Sequence, residues 1–194
     1  MSESKQQRDI AASPDPIERI LQWSQQAKEY ETVSWDHMPE IDLYMDQVIT
    51  YMDKQLRLFQ VKENSKLLTS SMINNYVKDG LLPRPDHKKY SREHLAGLLI
   101  ICMLKQVLSI SDISALSQEL SLESSPEQLH SIFCSIEKSA LQEVCERVEN
   151  TAPQGESQLK QLAFTLSIEA TARRAVAERI LGELNPAKKE GKAK

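Results

Sequence analysis

The sequence predicts an all-α fold. Glycine is scarce, with 5 in 194 residues, and there are few β-branched runs, which disfavours sheet. Successive segments place apolar residues at three-and-four spacing, the period of a helix with one buried face. Serine, aspartate and proline stand at the starts of those segments, where free amide groups need acceptors or a pre-set φ. A chain of this length holds one ordinary domain, or a small one with a helical extension.

Residues 1–15 read as a disordered tail ending at Asp15, which with Pro16 and Glu18 forms a helix start. Residues 16–41 then form an N-terminal helix and linker. Ile17, Ile20 and Leu21 face inward, and Trp23 and Trp35 are expected to fasten this leader to the core. Met45, Val48, Ile49, Met52 and Leu56 share one face of a helix over about Asp42–Arg57. A charged connector, Leu58–Leu68, leads to an N-cap at Thr69 or Ser70 and a short helix stopped by Gly80.

Leu81–Lys89 carries Pro83 and Pro85 among basic residues and reads as an extended loop or short hairpin. Ser91 caps the next helix, with Glu93 in its first turn. The run Leu95–Leu108 is apolar enough to be buried on most sides. Ser111 opens a short helix with Ile113, Leu116 and Leu120 inward. Ser125, Pro126 and Gln128 open a long one whose stripe is Leu129, Ile132, Phe133, Ile136, Ala140, Val144 and Val148. Pro153 and Gly155 break it. A last helix follows, with Leu159, Leu162, Leu166, Ala170, Ala177, Leu181 and Leu184 inward, so residues 123–185 read as a C-terminal helical hairpin. Residues 186–194 form a basic tail with Lys188, Lys189, Lys192 and Lys194.

The net charge of −4 gives no global attraction to phosphate, so nucleic-acid binding would need a local patch. Cys102, Cys134 and Cys145 form no Cys-x-x-Cys pair and are expected as small buried hydrophobes in a reducing compartment. His37, His87, His94 and His130 are scattered, so no metal and no cofactor are expected. The N-terminal segment lacks the apolar core of a secretory signal, and no run approaches the roughly 18 apolar residues of a membrane span. The expectation is a cytoplasmic protein with no membrane contact. No glycine-rich phosphate loop, nucleophile elbow or catalytic carboxylate pair can be placed, so no enzyme activity is expected.

The patch lies at residues 69–92. On the short helix Ser71, Asn74, Asn75 and Lys78 share one side, while Met72, Ile73, Tyr76 and Val77 take the other. Serine, asparagine and lysine reach base edges and phosphates in the major groove, where asparagine pairs bidentately with adenine. Lys78, Arg84, Lys88, Lys89 and Arg92 against Asp79 and Asp86 give this segment a charge of +3 in an acidic chain. A solvated helix face beside an ordinary basic turn is the competing reading.

The order of residues adds to this. Tyr76, Lys78, Asp79 and Gly80-Leu81-Leu82, then Lys88 or Lys89, Tyr90 and Ser91, then the apolar helix and Leu-Ser-Ile-Ser-Asp-Ile at Leu108–Ile113 resemble the DNA-binding half of the MerR regulators. In detail they also resemble a MerR-like family of uncharacterised bacterial proteins. Asn74, Asn75 and Tyr76 stand where the common MerR pattern has an arginine and two tyrosines.

The resemblance implies a winged helix-turn-helix with a small β-wing over residues 42–122. It implies a transcription regulator that puts helix 69–79 into the major groove of double-stranded DNA and a basic wing, 83–90, on phosphates. Its DNA-binding residues would be Ser70, Ser71, Asn74, Asn75, Lys78, Arg84, Lys88, Lys89, Tyr90 and Arg92. The C-terminal helices would then join a homodimer, so that two recognition helices read two half-sites. The alternative is a protein-interaction adaptor that keeps the scaffold without binding DNA.

Overall fold

The computed structural model describes residues 15–60 and 66–184. The two tails and part of the connector at 58–68 lie outside the described residues. Seven α-helices and one two-stranded antiparallel sheet make up the described chain.

Helix α1, Pro16–Glu29, starts as its sequence demands, with the Asp15 carboxylate accepting from the Ile17 amide at 3.3 Å. Its inner face carries Ile17, Ile20, Leu21, Ser24 and Ala27, and it lies on a later helix, α6, Pro126–Thr151. Ser24 Oγ donates to the Cys145 carbonyl, and Lys28 pairs with Glu149 at 2.9 Å. Trp23 lies at the edge of the inner face, 41% exposed and outside the core cluster. Trp35 packs against the core from a short 3-10 turn at Trp35–His37.

Strand β1, Leu43–Tyr44, precedes helix α2, Met45–Gln55, so the helix begins later than its apolar pattern suggested. The first residues are diverted into pairing with strand β2, Lys89–Tyr90, in the register Leu43↔Tyr90 and Tyr44↔Lys89. The expected face is kept, with Val48, Met52 and Leu56 buried. Helix α3, Ser70–Lys78, and helix α4, Arg92–Leu104, pack with α2 around one core. Leu95, Ala96, Leu98, Leu99, Ile101 and Cys102 fill its centre. α4 stops at Leu104 rather than Leu108, and Val107 in the turn beyond is exposed. Helix α5, Ile110–Glu123, is capped by Ser109, whose Oγ accepts from the Asp112 amide at 3.2 Å, rather than by Ser111.

The Ser125 and Gln128 side chains cap α6 reciprocally. At its end Gly155 takes φ 107°, a left-handed value that suits glycine. Helix α7, Glu156–Leu184, follows and contacts α6 and α5, with Arg147 and Glu169 joined by two hydrogen bonds of 2.7 and 2.9 Å. The expected inward stripes are covered only in part. On α6 the buried residues are His130, Cys145 and Val148, while Ile132, Ile136 and Ala140 are exposed. α7 buries no residue; Ala170 and Leu184 are exposed, as is Leu120 of α5. These helices are apolar on more sides than one chain covers. No described helix is long and apolar enough to cross a membrane.

Candidate nucleic-acid interface

Helix α3 exists because Thr69 can cap it and Ile73 and Tyr76 can bury its inner side. Thr69 Oγ accepts from the Met72 amide at 3.3 Å, and both inner residues are core members. Burial pushes the Tyr76 phenol above its ordinary pKa, so it packs as a neutral group. The outer side presents Ser70, Ser71, Asn74, Asn75 and Lys78 to solvent. Met72, expected on the packing side, is 36% exposed at the helix edge. Past Lys78 the chain reverses at Gly80, φ 73°, and the Leu81 and Leu82 amides return to the Tyr76 carbonyl at 2.8 and 3.0 Å. Leu82 then enters the core. Nothing lies within 4 Å of a Cβ added at Gly80, so glycine is needed there for its backbone conformation rather than for space.

The loop that follows ends in a tight turn, Asp86–Lys89. The Lys89 amide donates to the Asp86 carbonyl at 2.7 Å. His87 and Lys88 at its tip have φ of 46° and 64°. Two successive positive φ values define a type I′ turn, usually built from Asn-Gly because other side chains are strained there. Here histidine and lysine occupy both strained positions, and both are exposed.

The ten residues expected at the interface divide into two groups. The five on α3, with Arg84 and Lys88, are exposed. Lys89 is half-buried, its ammonium 5.3 Å from the ring centre of Tyr44 across the strand pair. Tyr90 is 3% exposed and belongs to the core, edge-on to His94 with ring centres 5.5 Å apart; a phenol at that position cannot reach a duplex. Arg92 is turned inward, its guanidinium 5.8 Å from the Trp35 ring centre and donating to the Met38 carbonyl at 3.4 Å. Ser91 caps α4 with Glu93 in its first turn, as expected, and His94 completes the cap, its Nδ1 accepting from the Ser91 amide at 3.0 Å.

Two neighbours escaped the sequence reading. Tyr44 supports Lys89 from a strand read as helix. Lys105, the one cation in the apolar run Leu95–Leu108, lies against the first turn of α3, with Nζ bound to the Leu67 carbonyl and 3.7 Å from Met72 Sδ. With Asn75, Asp79, Leu108 and Ser109 it lines an open groove of about 520 Å³ beside α3. Burial raises the Cys102 thiol to about 11, which leaves it a packing group. Among the described residues, no three His, Cys, Asp or Glu side chains gather as a metal site.

A family described as Domain of unknown function (DUF1836) matches residues 33–136. The matched segment runs from just before Trp35 through α2 to α5 and into α6. No curated protein and no solved structure matches the chain.

Proposed function

The chain belongs to the DUF1836 family, and from this starting point we propose that it is a DNA-binding transcription regulator built on a MerR-like winged helix-turn-helix. In this reading α3 enters the major groove, where Asn74 and Asn75 contact base edges and Ser70, Ser71 and Lys78 contact bases or backbone. Arg84, Lys88 and Lys89 hold phosphates from the wing. The observation that carries the proposal is the strained turn. Two non-glycine residues held at positive φ, both exposed, cost stability and bury nothing, and they place a lysine at the tip of a basic loop beside a polar helix face. Strain retained at such a place fits a contact surface.

The regulator would act in the cytoplasm as a homodimer joined through α7 and the open face of α6. Phe164, Ile168, Val176 and Ile180 are each more than half exposed, and a long helix with so much apolar surface is stable in water when something covers it. A monomeric mass by light scattering at micromolar concentration would remove the dimer.

The same exposed apolar residues favour a second reading, an adaptor whose long helices bind another protein. Selection of bound duplexes from a random library separates the two, followed by salt-dependent anisotropy with wild type and the variant Lys88→Glu, Lys89→Glu. A DNA reader enriches a roughly palindromic motif, and the variant loses affinity with a flatter salt dependence. No enrichment and no salt-sensitive binding at low ionic strength would leave the adaptor reading.

A further inference from the structure

A line of contacts joins α6 to the root of the Asp86–Lys89 turn through residues 33–38. At the α6 end His130, fully buried, donates from Nε2 to the Val33 carbonyl at 2.7 Å. Its ring centre lies 6.4 Å from that of Trp35. The residues just before this point are also held to α6, Glu31 by Lys138 and Thr32 by Glu137. At the other end the Arg92 guanidinium lies over Trp35 and binds the Met38 carbonyl. Arg92 begins α4 directly after Ser91 and β2.

The turn has little to hold it in place by itself. Its strand pair is two residues long on each side, and isolated two-stranded pairs are marginal in water even when longer. Both tip residues sit at positive φ, which favours opening. Its geometry therefore depends on what grips its root, where Tyr90 is buried in the core and Arg92 beyond it lies over an indole ring held in turn beside α6. The family match, 33–136, contains every member of the line: Val33, Trp35, Met38, Arg92 and His130.

We infer that Trp35 is the positioning residue of a clasp, residues 33–38, that couples the placement of α6 to the conformation of the Asp86–Lys89 turn. Arg92 is then a clasp residue rather than a DNA contact. Closing the clasp stacks its guanidinium and fixes the turn. Opening it frees the guanidinium and lets the turn relax.

The test is amide hydrogen exchange over residues 86–91 of the full chain without DNA. Trp35→Ala and Arg92→Gln should each accelerate exchange there by roughly three- to thirty-fold, the range expected for losing a partly desolvated cation–π contact. The double variant should add little to either single one, because both break the same contact. Arg92→Lys, which keeps the cation, should restore part of the protection. His130→Ala, made on α6, should accelerate the same amides. Should Trp35→Ala fail to fold, the Arg92 pair and His130→Ala carry the test. Additive effects of the two single substitutions, or unchanged exchange at 86–91 in Arg92→Gln or His130→Ala, would overturn the clasp. A separate arm rests on the DNA-binding reading: Arg92→Gln should also weaken duplex binding. Faster exchange in a protein that binds no DNA would refute that reading and leave the clasp standing.

Discussion

Replacing Lys88 by glycine should make the protein more stable while weakening any hold on DNA. Lys88 sits at φ 64° with its side chain in solvent, so it contributes little packing and bears the left-handed penalty of about 1–2 kcal/mol for an L-residue. Glycine removes that penalty but returns about 0.5–1 kcal/mol of chain entropy to the unfolded state. The expected net gain is about 0.5–1 kcal/mol, or roughly 1–4 °C in Tm for a chain of this size. His87→Asn combined with Lys88→Gly, the preferred type I′ pair, should do at least as well. Thermal and urea melts measure this half of the prediction. If Lys88 holds one phosphate, the slope of log affinity against log salt should fall by about 0.9 in the same variant. A less stable variant would refute the strain argument, and an unchanged salt slope in a more stable variant would refute the phosphate role.

Three further outcomes follow from neighbouring observations. Ile73→Ala, which empties a fully buried site on α3, should cost about 2–5 kcal/mol in urea denaturation, whereas Asn75→Ala, two residues on and exposed, should change stability by less than about 0.5 kcal/mol and relax base preference at one position of a selected motif. Gly80→Ala should cost on the order of 1 kcal/mol from its positive φ alone, and Gly80→Asn less, which thermal melts can rank. Burial raises the Glu137 carboxyl above its ordinary value, partly offset by the Thr32 hydrogen bond. Its favourable contribution is therefore complete below the ordinary carboxylate range and is lost as pH rises through the raised value. Glu137→Gln should flatten that part of the stability–pH curve and gain stability relative to wild type above it, and parallel curves would count against the assignment.

The candidate interface was partly legible from sequence. The outward side of α3 was readable because helical period and a threonine cap are properties of contiguous residues, and Ser71, Asn74, Asn75 and Lys78 do share a solvent face. The basic character of the loop was readable from its composition. The inward turn of Tyr90 and Arg92 was not legible for one reason: the same local string is compatible with a phenol or guanidinium turned out or in. The choice was made by distant partners, the core around α4 for Tyr90 and the Trp35 ring for Arg92. Lys105 beside α3 and Tyr44 under Lys89 were invisible on the same ground.

By itself the sequence determined the seven helices, most of their caps, the stops at Gly80 and Gly155, and the central place of α4. All of these rest on interactions within a few residues along the chain: hydrogen bonds to free helix ends, positive φ at glycine, and a 3.6-residue apolar period. Tertiary structure alone decided that Leu43 and Tyr44 pair with Tyr90 and Lys89 instead of starting α2. It also decided that the leader lies along α6 through Ser24, Lys28 and Val33, and that the apolar stripes of α6 and α7 are covered only in part. An apolar stripe specifies that a helix needs a partner surface, and a strand-forming dipeptide specifies that it can pair. Which surface and which strand meet them depends on residues far apart in the chain, whose free energies are settled only when the whole chain packs.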